Sequence, residues 1–177
     1  IIARLGSNRL KYKNILPFFG KPMLGVGIET LRKAKLVDEI VVSTESELVA
    51  RVAHDFGVQA LRRPSELAED NVPSMPVFRH LIEQHPCDVH VTLNINLPLC
   101  QPEVVDRAIV LAQEHGESLS RPVAVWAQTH ETIMNYGDPW KITAAEFEDK
   151  RAGNLDIHTE EDLLEVYRFQ QGDIPGW

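Results

Sequence analysis

Cysteine is scarce in this chain: Cys87 and Cys100 are the only two among 177 residues. Two thiols make a poor disulfide framework, so a reducing cytoplasm is the expected compartment. Neither belongs to a paired motif, no Cys/His cluster has zinc-ligand spacing, and both read as structural thiols. Long apolar runs are lacking too. None approaches the roughly 18 residues that a membrane span requires, no signal peptide is legible, and no membrane partner is expected. The sequence starts at Ile1 without a methionine, which leaves room for residues before it. Basic residues are in deficit, with 18 Lys and Arg against 26 Asp and Glu and a formal net charge of -8. That balance argues against nucleic-acid binding through a broad basic face. It leaves room for a small basic pocket that takes a phosphorylated ligand. Trp126, Trp140 and Trp177 are too scattered to form a stacking platform. No internal repeat or low-complexity linker divides the chain, so residues 1–177 are expected to form one domain, long enough to bury a core without staples.

What is present alternates between strand and helix signals. Ile1-Ile2-Ala3 reads as the end of a buried strand, followed by a polar loop from Arg4 to Lys21. Pro22 suits the first turn of a helix whose Leu24, Ile28 and Leu31 share a face. Residues 39–43 read as a buried strand. Ser46 is a cap candidate for a helix carrying Leu48, Val49, Val52 and Phe56, with Gly57 as its stop. Residues 59–61 suggest a short strand, 62–76 mostly loop, and 77–85 a helix. Residues 88–94 read as a strand, 102–115 as a helix ended by Gly116, and 122–127 as a further strand. Periodicity is weak from Gln128 to Arg151, and no element is assigned there. Residues 154–157 suggest a last short strand, and Thr159 with Asp162 a capping box with a shortened acid. Such alternation implies an α/β fold with a mainly parallel sheet covered on both faces.

In such sheets ligands bind beyond the carboxyl ends of the strands. Four unusual segments fall at those ends: Arg4 to Lys21, Ser43 to Glu45, Asn94 to Leu99, and Asp156 to His158. In the first, Gly6 and Ser7 let backbone N–H groups approach a phosphate. Arg4, Arg9, Lys11, Lys13 and Lys21 reverse the sign of the protein's charge locally, which suits a polyphosphate; the plainer reading is a solvated basic loop. His80, His85 and His90 recur at intervals of five, which matches neither helix nor strand contact spacing, and read as structural.

Ala3-Arg4, Gly6-Ser7, Lys13-Asn14 and Gly20-Lys21-Pro22 resemble the N-terminal signature of the sugar-acid cytidylyltransferases, the enzymes that make CMP-activated sialic acids and KDO. The resemblance continues through Val42-Ser43-Thr44, Arg63-Pro64, Glu66-Leu67-Ala68 and Pro98-Leu99. It ends at Asp156-Ile157 and Thr159 with Glu161-Asp162-Leu163. The matches keep family order over most of the chain. The resemblance implies a three-layer, Rossmann-like nucleotidyltransferase fold and the reaction of CTP with a 2-keto sugar acid to give the CMP-sugar and pyrophosphate. The nucleophile would be the substrate's anomeric hydroxyl, so catalysis would rest on positioning and charge stabilisation, with Mg2+ helping pyrophosphate leave. Other readings are a nucleotidyltransferase with another sugar or alditol acceptor, and a non-catalytic nucleotide-binding relative.

Carried over by resemblance, Arg4, Lys13, Lys21 and Asp156 are the catalytic candidates. Arg4, Gly6, Ser7, Asn14, Arg63, Ser74 and Asn94 are the nucleotide-binding candidates. Arg63 has the alternative of a surface arginine and Ser74 that of a helix cap. Ser43 and Thr44 sit near the pocket or close a turn. The sequence departs from the family in three ways. Asn94 stands where many relatives read the base with Gln, and Glu45 where Asp is common. His158 takes the place of the second acid of a pair whose first member, Asp156, is kept. Alternation puts 156 and 158 on one face, so both are metal candidates. Magnesium prefers hard oxygen ligands, which leaves His158 either in the metal's coordination shell or outside it. The short 128–151 segment lacks the length of the arm that relatives use to dimerise and to close the sugar site, which leaves the homodimer open.

Overall fold

The computed structural model describes residues 1–7 and 9–176; Trp177 lies outside them. A short hairpin, β1 (Pro17–Phe18) and β2 (Lys21–Pro22), leads into α1 (Met23–Lys33). Then come β3 (Val41–Thr44), α2 (Glu47–Asp55), β4 (Gln59–Arg62), α3 (Ser74–Gln84) and β5 (Val89–Leu93). The second half holds α4 (Pro102–His115), β6 (Glu117–Arg121), β7 (Val125–Thr129), α5 (His130–Met134), β8 (Ala145–Glu148) and α6 (Glu160–Gln171). Among the described residues no helix is long and apolar enough to cross a membrane.

The N-terminal residues run beside β3. Ile2 bridges Ser43 in parallel, Ala3 N–H donates to Ser43 O (3.0 Å), and Ser43 N–H donates to Ile1 O (2.9 Å). Alternation along the strands builds three layers. Ile1, Ala3, Val125 and Ala127 face one apolar cluster with Leu24 and Ile28 of α1, Val49 of α2 and Val104 of α4. Ile2 and Trp126 face the other side, against Met75, Phe78 and Ile82 of α3 and Ile133 of α5. Gly27 lets α1 approach closely: a Cβ there would lie 2.5 Å from Ile95 Cγ2, just past the end of β5.

Apart from the hairpin, the strands form a parallel pair, β3–β4, and a separate four-stranded mixed sheet ordered β5-β7-β6-β8, in place of the expected mainly parallel sheet. β3 and β4 are parallel, and so are β6 and β8, but β7 runs antiparallel to both β5 and β6. The reason is local: three residues join β6 to β7, and a link that short can only form a hairpin. The expected strand over 122–127 is therefore half hairpin link and half β7.

β6 escaped the hydrophobic pattern because its sequence, Glu-Ser-Leu-Ser-Arg, is polar although its first four residues are buried. Its polar atoms are matched one by one, which makes their burial tolerable. Ser118 Oγ donates to Ala108 O (2.6 Å). Glu117 accepts from Trp126 Nε1 (2.8 Å), Tyr136 Oη (3.1 Å) and Thr143 Oγ1 (2.8 Å). The strand expected over 154–157 does not form; that stretch is tied down by Ile157 N–H donating to Asn96 O (2.9 Å).

α6 is anchored at both ends of its first turn. Thr159 Oγ1 accepts from Asp162 N–H (3.2 Å), and Asp162 Oδ2 accepts from the N–H groups of Thr159 (2.7 Å) and His158 (2.8 Å). This is the capping box expected from sequence, and Asp162 does the reciprocal work despite being shorter than the usual Glu. Val166, Phe18, Met23 and Ile157 then close a third apolar cluster under the helix. Thr159→Ala removes one side of the box. It should cost about 1 kcal/mol of stability, read as a lowered urea midpoint with unchanged slope.

Candidate nucleotide site

The four segments expected at strand ends do not all converge, but three of them border one cleft of about 710 Å3. Gly6, Ser7 and Asn14 line it from the first loop, together with Arg4, Arg9 and Lys13. Arg63 enters from beyond β4, Ser74 from the start of α3, Asn94 from the end of β5, and His158 from the turn before α6. Ser43, Thr44 and Glu45 do not reach the lining; Thr44 Oγ1 accepts from Ser46 N–H (3.1 Å) and closes a turn.

Each cation in the cleft is held by a named partner. Arg4 forms an ion pair with Asp70 and donates to Ala68 O (3.3 Å). Asn14 Nδ2 donates to Arg4 O (2.6 Å) and pins the loop from within. Arg63 donates through NH2 to Glu45 Oε2 (3.0 Å), whose Oε1 accepts from Leu5 N–H (2.8 Å). Glu45 thus clasps the first loop to the end of β4. Burial works against ionisation of Glu45, but the N–H groups of Leu5 and of Glu45 itself, with Arg63, outweigh it and hold the carboxyl below its ordinary value. Lys13 is buried and donates to Ile157 O (3.3 Å); burial pushes its pKa down, and Asp156 opposes that shift.

Arg63 is 5% exposed, so it is not the surface arginine of the plainer reading. Its Nε is buried with no hydrogen-bond partner among the described residues. A buried guanidinium left partly unsatisfied on a cleft wall is the kind of group that a ligand completes. Ser74 is the first residue of α3, whose N-cap position is held by Pro73, so it is not the helix cap of the plainer reading. Asn94 is engaged at both ends: Nδ2 donates to Val123 O (3.2 Å), and Oδ1 accepts from Asn96 N–H (3.2 Å). One amide proton and one lone pair remain for a ligand.

Lys21 and Asp156 do not line the cleft. Lys21 is paired with Glu29 at 2.7 Å on the exposed side of the hairpin. Asp156 meets the cleft through His158: Arg9 NH2 lies 2.7 Å from His158 Nδ1, and His158 Nε2 lies 3.0 Å from Asp156 Oδ1. Arginine only donates, so Nδ1 accepts, and the imidazole proton sits on Nε2 facing Asp156. Both ring nitrogens are therefore engaged. Among the described residues no group of three or more His, Cys, Asp or Glu side chains is arranged to hold a metal ion. The hard carboxylate of Asp156 suits a divalent ion by its chemistry, whereas His158, with both ring nitrogens engaged, presents no free ligand atom.

Sequence reading missed two parts of the cleft. One is the wall from Leu67 to Asp70, whose acid meets Arg4. The other is the floor made by Phe78, Trp126 and Ile142. Trp126 looked isolated because its neighbour across the fold, Phe78 (ring centroids 5.3 Å apart), belongs to a different element.

A mixed α/β fold with a basic, glycine-containing loop at its strand ends is an arrangement that nucleotide-binding proteins share. The sequence profile of the cytidylyltransferase family matches residues 1–165, and the chain belongs to that family. It is 30% identical over 162 residues to the 3-deoxy-manno-octulosonate cytidylyltransferase of Anaeromyxobacter dehalogenans, covering 86% of this chain and 65% of that protein. It is 35% identical over 82 residues to the N-acylneuraminate cytidylyltransferase of Escherichia coli, covering 46% of this chain and 20% of that protein. The chain thus spans less than two thirds of either relative. Among solved structures, a CMP:2-keto-3-deoxy-manno-octonic acid synthetase complexed with CTP superposes with a TM-score of 0.79 at 15% identity, over 98% of this chain and 97% of that one. At that identity the likeness is one of fold.

The depressed pKa of Glu45 makes a pH-dependent contribution to stability. A carboxyl whose folded pKa lies below its unfolded value, about 4.3, stabilises the fold above that value. The contribution is lost as pH falls through the folded pKa. Glu45→Gln should therefore be less stable than the parent at pH 7, and the gap should narrow below about pH 4. Urea unfolding at both pH values measures it.

Proposed function

We propose that this chain transfers CMP from CTP to a 2-keto sugar acid and releases pyrophosphate. The observation that carries the reading is Arg63, a buried guanidinium with an unsatisfied Nε, facing the same cleft as Arg4, Arg9 and Lys13 in an otherwise acidic protein. The anomeric hydroxyl of the acceptor attacks the α-phosphorus and gives up its proton to solvent, a P–O bond forms, the α–β bridging P–O bond breaks, and pyrophosphate leaves with the electron pair. No protein nucleophile is required. The cations stabilise the charge that develops on the phosphates, where preformed donors act most strongly.

In this reading Arg4, Arg9 and Lys13 bind the triphosphate together with the backbone at Gly6 and Ser7. Asn14 keeps that backbone in place. Arg63, Ser74 and the free valences of Asn94 take the cytidine. Lys21 joins the phosphates only by releasing Glu29. Asp156 would hold the Mg2+ that accompanies the triphosphate, and the ion would supply positive charge to stabilise the departing pyrophosphate. Two copies of the chain forming a homodimer, and a cytoplasmic setting, belong to the same proposal.

A second reading, a nucleotide-binding relative without turnover, draws on the closed Arg9–His158–Asp156 chain. It occupies the carboxylate that the metal would need.

Calorimetry with CTP, UTP, ATP and GTP should show the tightest binding for CTP; equal affinities would remove the cytidine assignment. Arg4→Ala takes away a charge-assisted contact and should lower kcat/KM by about 2 kcal/mol, roughly thirtyfold. Its melting temperature should hardly change, because the pair it forms with Asp70 is a surface pair of small net worth. Asp156→Asn should abolish metal-dependent pyrophosphate release, whereas His158→Asp should preserve or raise activity with Mg2+ by adding a hard oxygen ligand. Metal titrations of the two variants decide the point, and an inactive His158→Asp with an active parent would assign the imidazole a positive role.

A further inference from the structure

Glu45 does not line the cleft, yet its carboxylate is bonded to two parts of the cleft wall. Oε1 accepts from the Leu5 N–H (2.8 Å), and Oε2 accepts from Arg63 NH2 (3.0 Å). Leu5 stands between Arg4 and Gly6, both of which line the cleft, and Arg63 lines it from beyond β4. One side chain therefore reaches both the first loop and the buried guanidinium.

Its hold on the loop is specific. The Leu5 N–H belongs to the same peptide group as Arg4 O, and Arg4 O accepts from Asn14 Nδ2 (2.6 Å). That peptide is gripped at both edges. A peptide group is planar, so fixing its C=O and its N–H fixes its orientation, and turning it would break both bonds at once. The chain runs directly from this peptide into Gly6 and Ser7, which line the cleft. At the other oxygen, the Arg63 side chain is 4% exposed, and its backbone N–H donates to Thr44 O (2.8 Å). Glu45 takes NH2, while Nε has no partner among the described residues. The carboxylate itself stands on a fixed turn, because the next residue, Ser46, caps α2 by accepting from the Val49 N–H (3.3 Å).

We infer that Glu45 is a positioning residue for nucleotide binding, one that sets the Arg4–Leu5 peptide and the Arg63 guanidinium in a single geometry without touching the ligand. The inference rests on the reading of the cleft as the CTP site. Donors held in place before binding spare the ligand the cost of ordering them. A carboxylate has two acceptor oxygens and can serve both donors, whereas an amide of the same shape has one. In Glu45→Gln an NH2 group would face either the Leu5 N–H or Arg63, donor against donor, and one of the two ends would come loose. In Glu45→Met both would.

The test is calorimetry with CTP and with inorganic tripolyphosphate, which probes the first loop without a nucleoside, at a temperature well below the melting of each variant. In Glu45→Met the Kd for CTP should rise by at least about tenfold, with the number of CTP molecules bound per chain unchanged. Tripolyphosphate should weaken severalfold in the same variant. Glu45→Gln, which keeps one acceptor and folds more safely, should give a smaller rise in the Kd for CTP. Glu45→Asp, which keeps both oxygens, should recover most of the affinity lost in Glu45→Met. A parental Kd for CTP in the Met and Gln variants, with or without a fall in stoichiometry, overturns the inference and leaves the proposed function intact, because a purely structural role changes only the folded fraction. Weaker CTP binding with parental tripolyphosphate binding in Glu45→Met also overturns it, since Glu45 would then act on Arg63 alone. Absence of CTP binding in the parent overturns the proposed function and this inference with it.

Discussion

Four cationic side chains, Arg4, Arg9, Lys13 and Arg63, share one cleft, and like charges held so close repel in the absence of a ligand. The fold answers with a counter-group for each: Asp70 for Arg4, Glu45 for Arg63, the His158–Asp156 pair for Arg9, and the Ile157 carbonyl for Lys13. These partners come from three separate stretches of chain. The ion pairs and hydrogen bonds to these partners therefore tie the first loop to the end of β3, to the segment before α3 and to the turn before α6. The same partners keep the cations oriented, so that a polyphosphate meets donors already in place.

The turn before α6 shows how stability and site share residues. Asp162 caps the helix and at the same time accepts from the His158 N–H, which fixes the backbone on which the imidazole sits. The Ile157 side chain is buried under α6, its N–H is bound to Asn96 O and its carbonyl receives Lys13. One residue thus joins the core, the end of β5 and the basic loop. A substitution that loosens this turn would disturb both the packing of α6 and the charge arrangement of the cleft, although none of these groups is itself a reacting atom.

His158 gains a different meaning from its surroundings than from its position in the sequence. As the third residue of the Asp156-Ile157-His158 triplet, in the place of a second acid, it invites reading as a replaced metal ligand. In the fold it is a neutral link, accepting from Arg9 and donating to Asp156, so it uses as a hydrogen-bond bridge the position that an acid would use as a ligand. The imidazole brings no charge of its own in this state, and the region near Arg9 and Lys13 stays more positive than a second carboxylate would leave it.

Much of this was written in local sequence. The stripe of α1, the Ser46 cap, the stops at Gly57 and Gly116, the Thr159–Asp162 box and the basic loop are all short-range patterns. Helix periodicity, caps and glycine stops act between residues a few positions apart, so one stretch of chain is enough to recognise them. The resemblance of motifs in order was enough to point to the family. Tertiary structure alone decided the rest. β6 is buried yet polar, and its place in the sheet depends on acceptors and donors from α4, β7 and the 136–143 segment. The pairing of Arg63 with Glu45, the bridge through His158 and the meeting of Phe78 with Trp126 likewise join residues far apart in the chain. Such contacts leave no periodic trace, because a hydrogen bond or a ring contact across the fold constrains where two side chains end up and not how many residues separate them.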